Sequence, residues 1–256
     1  MGRPDLFRIP DEPGTLPGDG LRMYADLADW FHLLTAPADY ADEAAFILAL
    51  LREHVAGPLE TLLELGSGGG NTASHLKAHL RLTLTDIAPR MLELSRQLNP
   101  ECEHLPGDMR MLRLGRVFDA VLVHDAVMYM TTEADLRAAI ETAFEHLRPG
   151  GAAMFVPDTV RETFAPSTRH GGNDGMGRAL RYLDWSYDPD PDDTTYLTDF
   201  AMLLRRGADE VRIRYDRHVM GLFGRAQWLD LLTGVGFRAL AAEDPDGRLV
   251  FVGIRG

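Results

Sequence analysis

Downstream of residue 58 short apolar runs alternate with amphipathic stretches. The runs predict strands at 60–65, 81–86, 102–106, 117–123 and 151–157, and the stretches 71–79, 89–97 and 132–147 between them read as helices. "LRPGG" at 147–151 supplies a helix stop and a turn before the fifth strand. Such alternation implies a parallel sheet with helices on both faces. Upstream, Leu27, Phe31 and Leu34 recur at helical spacing and predict a helix over 21–35. A second helix over 38–55 is stopped by Gly57-Pro58. After residue 158 the pattern changes. "RALRYLDWSY", "TTYLTDFAMLL" and "EVRIRYDRHVMGLF" predict three antiparallel strands, followed by a helix at 225–234 and closing strands at 237–242 and 248–254. The organisation expected is a flexible Pro/Gly-rich arm (1–20), a helical lid (21–58), a core (59–157 and 221–256) and an inserted antiparallel cap (158–220) for substrate or dimer contacts.

Composition narrows the partners. The chain has 256 residues, 45% of them hydrophobic, enough for one large domain with an embedded cap. Its 26 basic and 39 acidic residues give a net charge of -13, a sign that repels phosphate backbones and argues against a nucleic-acid partner. Cys102 is the only cysteine, so neither an internal disulfide nor a thiolate zinc cluster is expected, and no metal site is assigned. No apolar run is long enough to span a bilayer, and the N-terminus has no apolar signal core. Leu6 stands where a myristoylation signal needs Ser or Thr. The expectation is a cytoplasmic protein with no membrane partner.

The chemistry concentrates around "LLELGSGGGN", where Gly66, Gly68 and Gly70 follow a strand that ends near Glu64. A glycine turn between strand and helix lies at the carboxyl edge of a parallel sheet, where ligands bind. The dinucleotide fingerprint fails because its third glycine position is Asn71, and no Gly-Lys-Ser/Thr follows for a P-loop. A carboxylate before the loop suits a cationic amino-acid group better than a pyrophosphate. Asp86 ends the next strand, twenty-two residues after Glu64, where a carboxylate can accept from both ribose hydroxyls. By itself Asp86 also reads as a helix N-cap before Pro89.

Taken in order, "LLELGSGGG", "LTLTDIAPRML", "GDMR", "FDAVLVHDAVMYM" and "LRPGG" resemble the class I S-adenosylmethionine-dependent methyltransferases. The resemblance covers about residues 60–157. It implies a Rossmann-like seven-stranded sheet, mostly parallel with the last strand antiparallel. It implies S-adenosyl-L-methionine as cofactor and S-adenosyl-L-homocysteine as product. By the same resemblance Glu64, Gly66, Ser67, Gly68 and Gly70 hold the methionine part, and Asp86 holds the ribose. Ile87 and Met91 then flank the adenine, Asp108 and Met109 meet its edge and face, and His124 lies near the methyl donor through its backbone.

Methyl transfer is an in-line displacement, so the acceptor must be positioned and relieved of a proton. Tyr129 follows the fourth strand, where the resembling aminosugar N,N-dimethyltransferases often carry His. Tyrosine there favours hydrogen bonding over general-base work; packing is the competing reading. Tyr24, Ala28 and His32 share one helical face, with Tyr24 standing in for a lid tyrosine over the cofactor. His32, Tyr40 and Asp125 are substrate candidates, as is Trp185, which with Tyr187 forms an aromatic wall or packs the cap. Arg212, Arg214, Asp216 and His218 alternate along one strand face, lining the pocket or meeting a second subunit in a homodimer. His218 is the second catalytic candidate. The expected function is methylation of a small molecule, at amine nitrogen in preference to hydroxyl oxygen. A non-catalytic S-adenosylmethionine binder and a nucleic-acid methyltransferase are the alternatives, although "HDAVMYM" lacks the Asn/Asp-Pro-Pro-aromatic motif of base methylation.

Overall fold

The computed structural model describes residues 21–208 and 210–256; the arm expected at 1–20 lies outside them. The first helix is not continuous. Arg22–Tyr24 and Ala28–Trp30 form single 3-10 turns, and only Phe31–Leu34 (α1) is α-helical. Tertiary contacts override the periodicity here: Met23, Leu27 and Trp30 turn onto Leu180, Met202 and Leu204 of the inserted sheet, and the Met23 N–H leaves the helical pattern to donate to Asp216. The second helix forms much as expected. A 3-10 turn at Pro37–Tyr40 leads into α2 (Ala41–His54).

Strands β1 (Thr61–Leu65), β2 (Arg81–Asp86), β3 (Glu103–Pro106) and β4 (Phe118–Val123) are parallel, and β1 lies between β2 and β4. Helices α3 (Ala73–Leu76) and α4 (Pro89–Leu98) connect the first three strands, and α5 (Glu133–Glu145) precedes β5 (Leu147–Phe155). Helix α3 is only one turn long, against the nine residues expected at 71–79. Pro89 opens α4, and the Thr132 hydroxyl caps α5 by accepting from Asp135 N–H. "LRPGG" is not a separate turn. It is drawn into β5, with a register irregularity where Phe118 pairs with Leu147 and Ala120 with Ala152.

Helix α6 (Arg225–Val235) ends at Gly236, whose φ of 116° supplies the left-handed cap. It leads to β11 (Phe237–Glu243) and β12 (Leu249–Arg255), and β12 lies antiparallel between β11 and β5. The seven-stranded sheet is therefore ordered β11-β12-β5-β4-β1-β2-β3, mostly parallel with its last strand antiparallel. Period-two alternation sends Leu63, Leu65, Val121 and Val123 to one face, in one core with α5 and α6. Leu62, Ala120 and Leu122 go to the other, against α2.

Between β5 and α6 a second, antiparallel sheet rises. Besides the three expected strands, β8 (Arg178–Tyr187), β9 (Thr195–Arg206) and β10 (Glu210–Gly221), it contains β6 (Ser167–Gly171) and a two-residue β7 (Asp174–Gly175). β6 reads "STRHG", with no apolar alternation to announce it, and its place comes entirely from pairing with β8. No helix among the described residues is long and apolar enough to cross a membrane.

Candidate active site

The loops leaving the carboxyl ends of β1, β2, β3, β4 and β5 open into one cavity of about 560 Å³, within the range of small-molecule sites. The N-terminal segment covers one side through Tyr24, Phe31 and Tyr40, and the inserted sheet closes another through Asp184, Thr198 and His218. Of the residues singled out in the sequence, Tyr24, Tyr40, Glu64, Gly66, Ser67, Gly68, Asp86, Ile87, Asp108, Met109, His124, Asp125, Tyr129 and His218 reach this cavity.

Four do not. Met91 is fully buried in the first turn of α4, away from the cavity wall. Gly70 lies behind the loop, where a Cβ would run into Ser95 and Asn99. His32 turns onto the glycine loop instead of the cavity, with Nε2 3.1 Å from the Gly69 carbonyl. Trp185 is 57% exposed on the outer face of the inserted sheet, because it alternates with inward-facing Asp184 along β8. Nor is the glycine spacing wholly a matter of ligand access. At Gly66, with φ of 74°, a Cβ would strike Ala126 and the end of Met109, so the chain's own packing already demands glycine there.

The loop is held by backbone bonds to β2. Gly66 N–H and Ser67 N–H both donate to Thr85 O at 2.8 Å. Asp86 extends this: Oδ2 accepts Gly68 N–H at 2.8 Å and Oδ1 accepts Ala88 N–H at 2.7 Å. Burial raises the Asp86 carboxyl above its usual range, and these N–H groups pull it back. Glu64 is 2% exposed, and burial pushes its carboxyl up to about 8. His124 opposes that rise; Asp86, Asp125 and Glu43 reinforce it. Glu64 Oε2 and Ser67 Oγ are buried without a hydrogen-bond partner. Unsatisfied acceptors of this kind beside an open cavity suit a ligand that brings donors. Asp108 reaches the cavity, but both its oxygens already accept from Arg110.

His124 does more than lend its backbone. Its carbonyl accepts Val127 N–H, while Nε2 lies 2.8 Å from Glu43 and Nδ1 3.3 Å from Asp125. Burial alone would lower its pKa; Asp125 and Glu43 instead raise it to about 9. Arg248 pairs with Glu43 and with Asp244, and stands 3.5 Å from Asp125. Asp158, after β5, is also raised, first by burial and then by Asp125. Sequence reasoning missed Glu43, Arg248 and Asp158. Glu43 and Arg248 lie 205 residues apart, and no local pattern joins them.

The two catalytic candidates meet. Tyr129 Oη is 2.7 Å from His218 Nδ1 and 2.7 Å from Tyr24 Oη, and His218 Nε2 is 3.2 Å from Asp216 Oδ2. Both tyrosines are held above their ordinary pKa, chiefly by burial, and are neutral hydroxyls. The four groups form a hydrogen-bonded line from the cavity into the inserted sheet.

Comparison with known proteins agrees with this geometry. The family described as "Methyltransferase domain" matches residues 62–151. The dTDP-3-amino-3,4,6-trideoxy-alpha-D-glucopyranose N,N-dimethyltransferase of Streptomyces venezuelae is 31% identical over 243 residues, which cover 90% of this chain and 97% of that protein. The crystal structure of Streptomyces venezuelae DesVI superposes with a TM-score of 0.79 at 30% identity, covering 91% of this chain and 98% of that one. CalS10, an amino pentose methyltransferase from Micromonospora echinaspora solved with S-adenosylmethionine bound, gives a TM-score of 0.74 at 26% identity, covering 85% and 92%. Identity and coverage of this order, on a fold whose strand-end loops build the cavity, establish the cofactor as S-adenosylmethionine. The chain belongs to the class I S-adenosylmethionine-dependent methyltransferases and is an enzyme that methylates small molecules.

Proposed function

We propose that the enzyme methylates the amine nitrogen of a sugar, carried on a nucleotide as in the relatives' substrates. One observation carries the choice of nitrogen over oxygen: the cavity combines cation-attracting carboxylates, Asp125 and Asp158, with the Tyr24–Tyr129–His218 line, whose hydroxyls are too weakly acidic to serve as phenolate bases. An alcohol would need a strong base, whereas an ammonium needs only a path for its proton. Bound S-adenosylmethionine supplies an electrophilic methyl on a sulfonium. Glu64 and Ser67, with their unsatisfied oxygens, would hold its methionine end. Asp86 would take the ribose hydroxyls, and Ile87 and Met109 would border the adenine beside Asp108. Tyr24, Phe31 and Tyr40 would shield the site from water, and Asp125 and Asp158 would orient the acceptor's cationic amine.

The direct test is incubation with labelled S-adenosylmethionine and dTDP-3-amino-3,4,6-trideoxy-α-D-glucopyranose, with the 3-hydroxy analogue in parallel. N-methylated product from the amine alone is expected. Methylation of the hydroxy analogue alone would replace this reading with O-methylation, and tight cofactor binding with no transfer would favour a binder.

Glu64 provides a second check. Its carboxyl is largely protonated below about 8 in the free protein, and a bound ammonium favours the carboxylate. Cofactor binding near pH 7 is therefore expected to release about one proton, and affinity is expected to rise with pH towards 8. The folded pKa is raised, so the group's favourable contribution to free-protein stability is present below its unfolded value and fades as pH climbs towards 8. Calorimetry in buffers of different ionisation enthalpy measures the proton directly, and Glu64→Gln should abolish its release.

The outer face of the inserted sheet exposes Leu183, Trp185, Leu203 and Ile213, with Leu203 paired directly to Ile213. Charges of both signs, such as Arg181 and Asp174, rim this apolar centre. An exposed apolar patch with a polar rim marks an interaction site, and a two-fold dimer would use the same patch on both subunits, so we assign it to a second copy of this chain. Light scattering should report a dimer, and Ile213→Glu with Leu203→Glu should give monomers that still bind cofactor. A monomeric wild type would remove the assignment.

A further inference from the structure

Asp216 sits on β10, 6% exposed. Its Oδ2 accepts from Met23 N–H at 2.8 Å and lies 3.2 Å from His218 Nε2. One carboxylate oxygen thus joins the segment that covers the cavity to the histidine at the inner end of the hydroxyl line. The two bonded partners differ greatly in sequence position: Met23 and Asp216 are 193 residues apart.

A carboxylate oxygen only accepts, so in a neutral His218 imidazole the hydrogen belongs on Nε2 and Nδ1 is left bare. Nδ1 then accepts the Tyr129 O–H. Tyr129 has no second hydrogen to give, so its oxygen receives the Tyr24 O–H. Every hydrogen in the line therefore points inward, and the free lone pairs of Tyr24 are left for the cavity. The opposite tautomer would set two lone pairs against each other at Asp216, inside the protein. Because Met23 and Tyr24 are consecutive, the bond that docks Met23 also places Tyr24.

We infer that Asp216 is a positioning residue that makes proton acceptance at Tyr24 depend on docking of the N-terminal segment. The inference rests on the amine N-methylation reading. In the step it serves, the substrate ammonium gives a proton to Tyr24 Oη as Tyr24 passes its own to Tyr129 and Tyr129 passes its own to His218 Nδ1. One N–H bond of the ammonium breaks and one N–H bond of the imidazole forms. Both tyrosines end neutral, and the positive charge moves from the amine to an imidazolium beside Asp216. The freed nitrogen lone pair is the nucleophile. The ionisable groups around His218 are Asp216 on its own strand, Tyr24 from the N-terminal segment and Tyr129 from the loop after β4, with Arg22 near Asp216 and Asp158 near Tyr129. The ring of Phe200, 5.0 Å away on β9, adds no charge.

The test uses the full chain saturated with S-adenosylmethionine. Nitrogen-15 NMR of wild-type His218 is expected to show hydrogen on Nε2 and none on Nδ1; the Nδ1–H tautomer would overturn the inference without any variant. In Asp216→Ala, which removes the shared acceptor, the tautomer should become mixed or reversed, and Met23 amide exchange should quicken about tenfold or more. A wild-type tautomer together with wild-type Met23 exchange in that variant would also overturn it. With dTDP-3-amino-3,4,6-trideoxy-α-D-glucopyranose as substrate, kcat should fall about 10–100-fold, with cofactor affinity within about twofold. The pH for half-maximal rate should move up towards that of the free amine. In a His218→Gln background the same substitution should add less than about twofold; a full additional loss would show that Asp216 acts elsewhere. If the wild type turns over no sugar amine, the proposed substrate fails, while the NMR and exchange measurements still decide the role of Asp216.

Discussion

Asp86→Ala is expected to weaken S-adenosylmethionine binding by about 10²–10⁴-fold while the protein stays folded. Hydrogen bonds from two ribose hydroxyls to a carboxylate contribute about 1.5–3 kcal/mol each, and every 1.4 kcal/mol is about tenfold in affinity. The same carboxylate also holds Gly68 N–H and Ala88 N–H, so its removal loosens the glycine loop as well. Water entering from the open cavity can replace those backbone partners, which limits the melting-temperature loss to about 2–8 °C. Asp86→Asn, close in shape but uncharged, should fall between wild type and alanine. Calorimetry paired with thermal melts separates the outcomes. An unchanged dissociation constant would take Asp86 out of the cofactor site, and loss of the cooperative melt would make it a scaffold for the loop.

Tyr129→Phe is expected to lower kcat about 10–100-fold and to leave the cofactor dissociation constant within about twofold. The substitution removes one oxygen and with it both 2.7 Å contacts, to Tyr24 and to His218. The phenyl ring can keep the edge-on packing against Tyr24, whose centroid is 5.8 Å away, so the cavity wall should survive. Proton transfer through the line would stop at Tyr24, and only the fraction of substrate already present as free amine would react. The deficit should accordingly shrink as pH rises. Single-turnover rates across pH with the dTDP-linked aminosugar measure this, and wild-type rates throughout would return Tyr129 to its packing role between the two hydrophobic clusters it touches.

The core sheet was legible because its signals are local. Leu62 to Leu65, Leu82 with Leu84, and Val121 to Val123 alternate between two buried faces, and a glycine turn after a strand end reads the same in any parallel sheet. Local periodicity misled where distant contacts outweighed it. Leu27, Phe31 and Leu34 suggest one helix, yet docking on Leu180, Met202 and Leu204 bends that segment into short turns. Gly66 and Gly70 looked like concessions to a ligand, but Ala126, Met109, Ser95 and Asn99 already crowd them. Trp185 fell on the outer face because strand direction and register, which no single strand reveals, decide which residues of β8 point inward.

The order of strands and helices, the glycine-loop and strand-end motifs and the type of side chain at each strand end follow from the residue pattern alone, since all of these repeat at two to four residues or sit at turns. Which polar groups meet is settled by packing in three dimensions. Tyr24 reaches Tyr129 across 105 residues, Tyr129 reaches His218 across 89, and Glu43 reaches Arg248 across 205. Pairing at such separations depends on how sheet, lid and cap pack together, and burial then sets the charge state of each group; neither leaves a periodic trace along the chain.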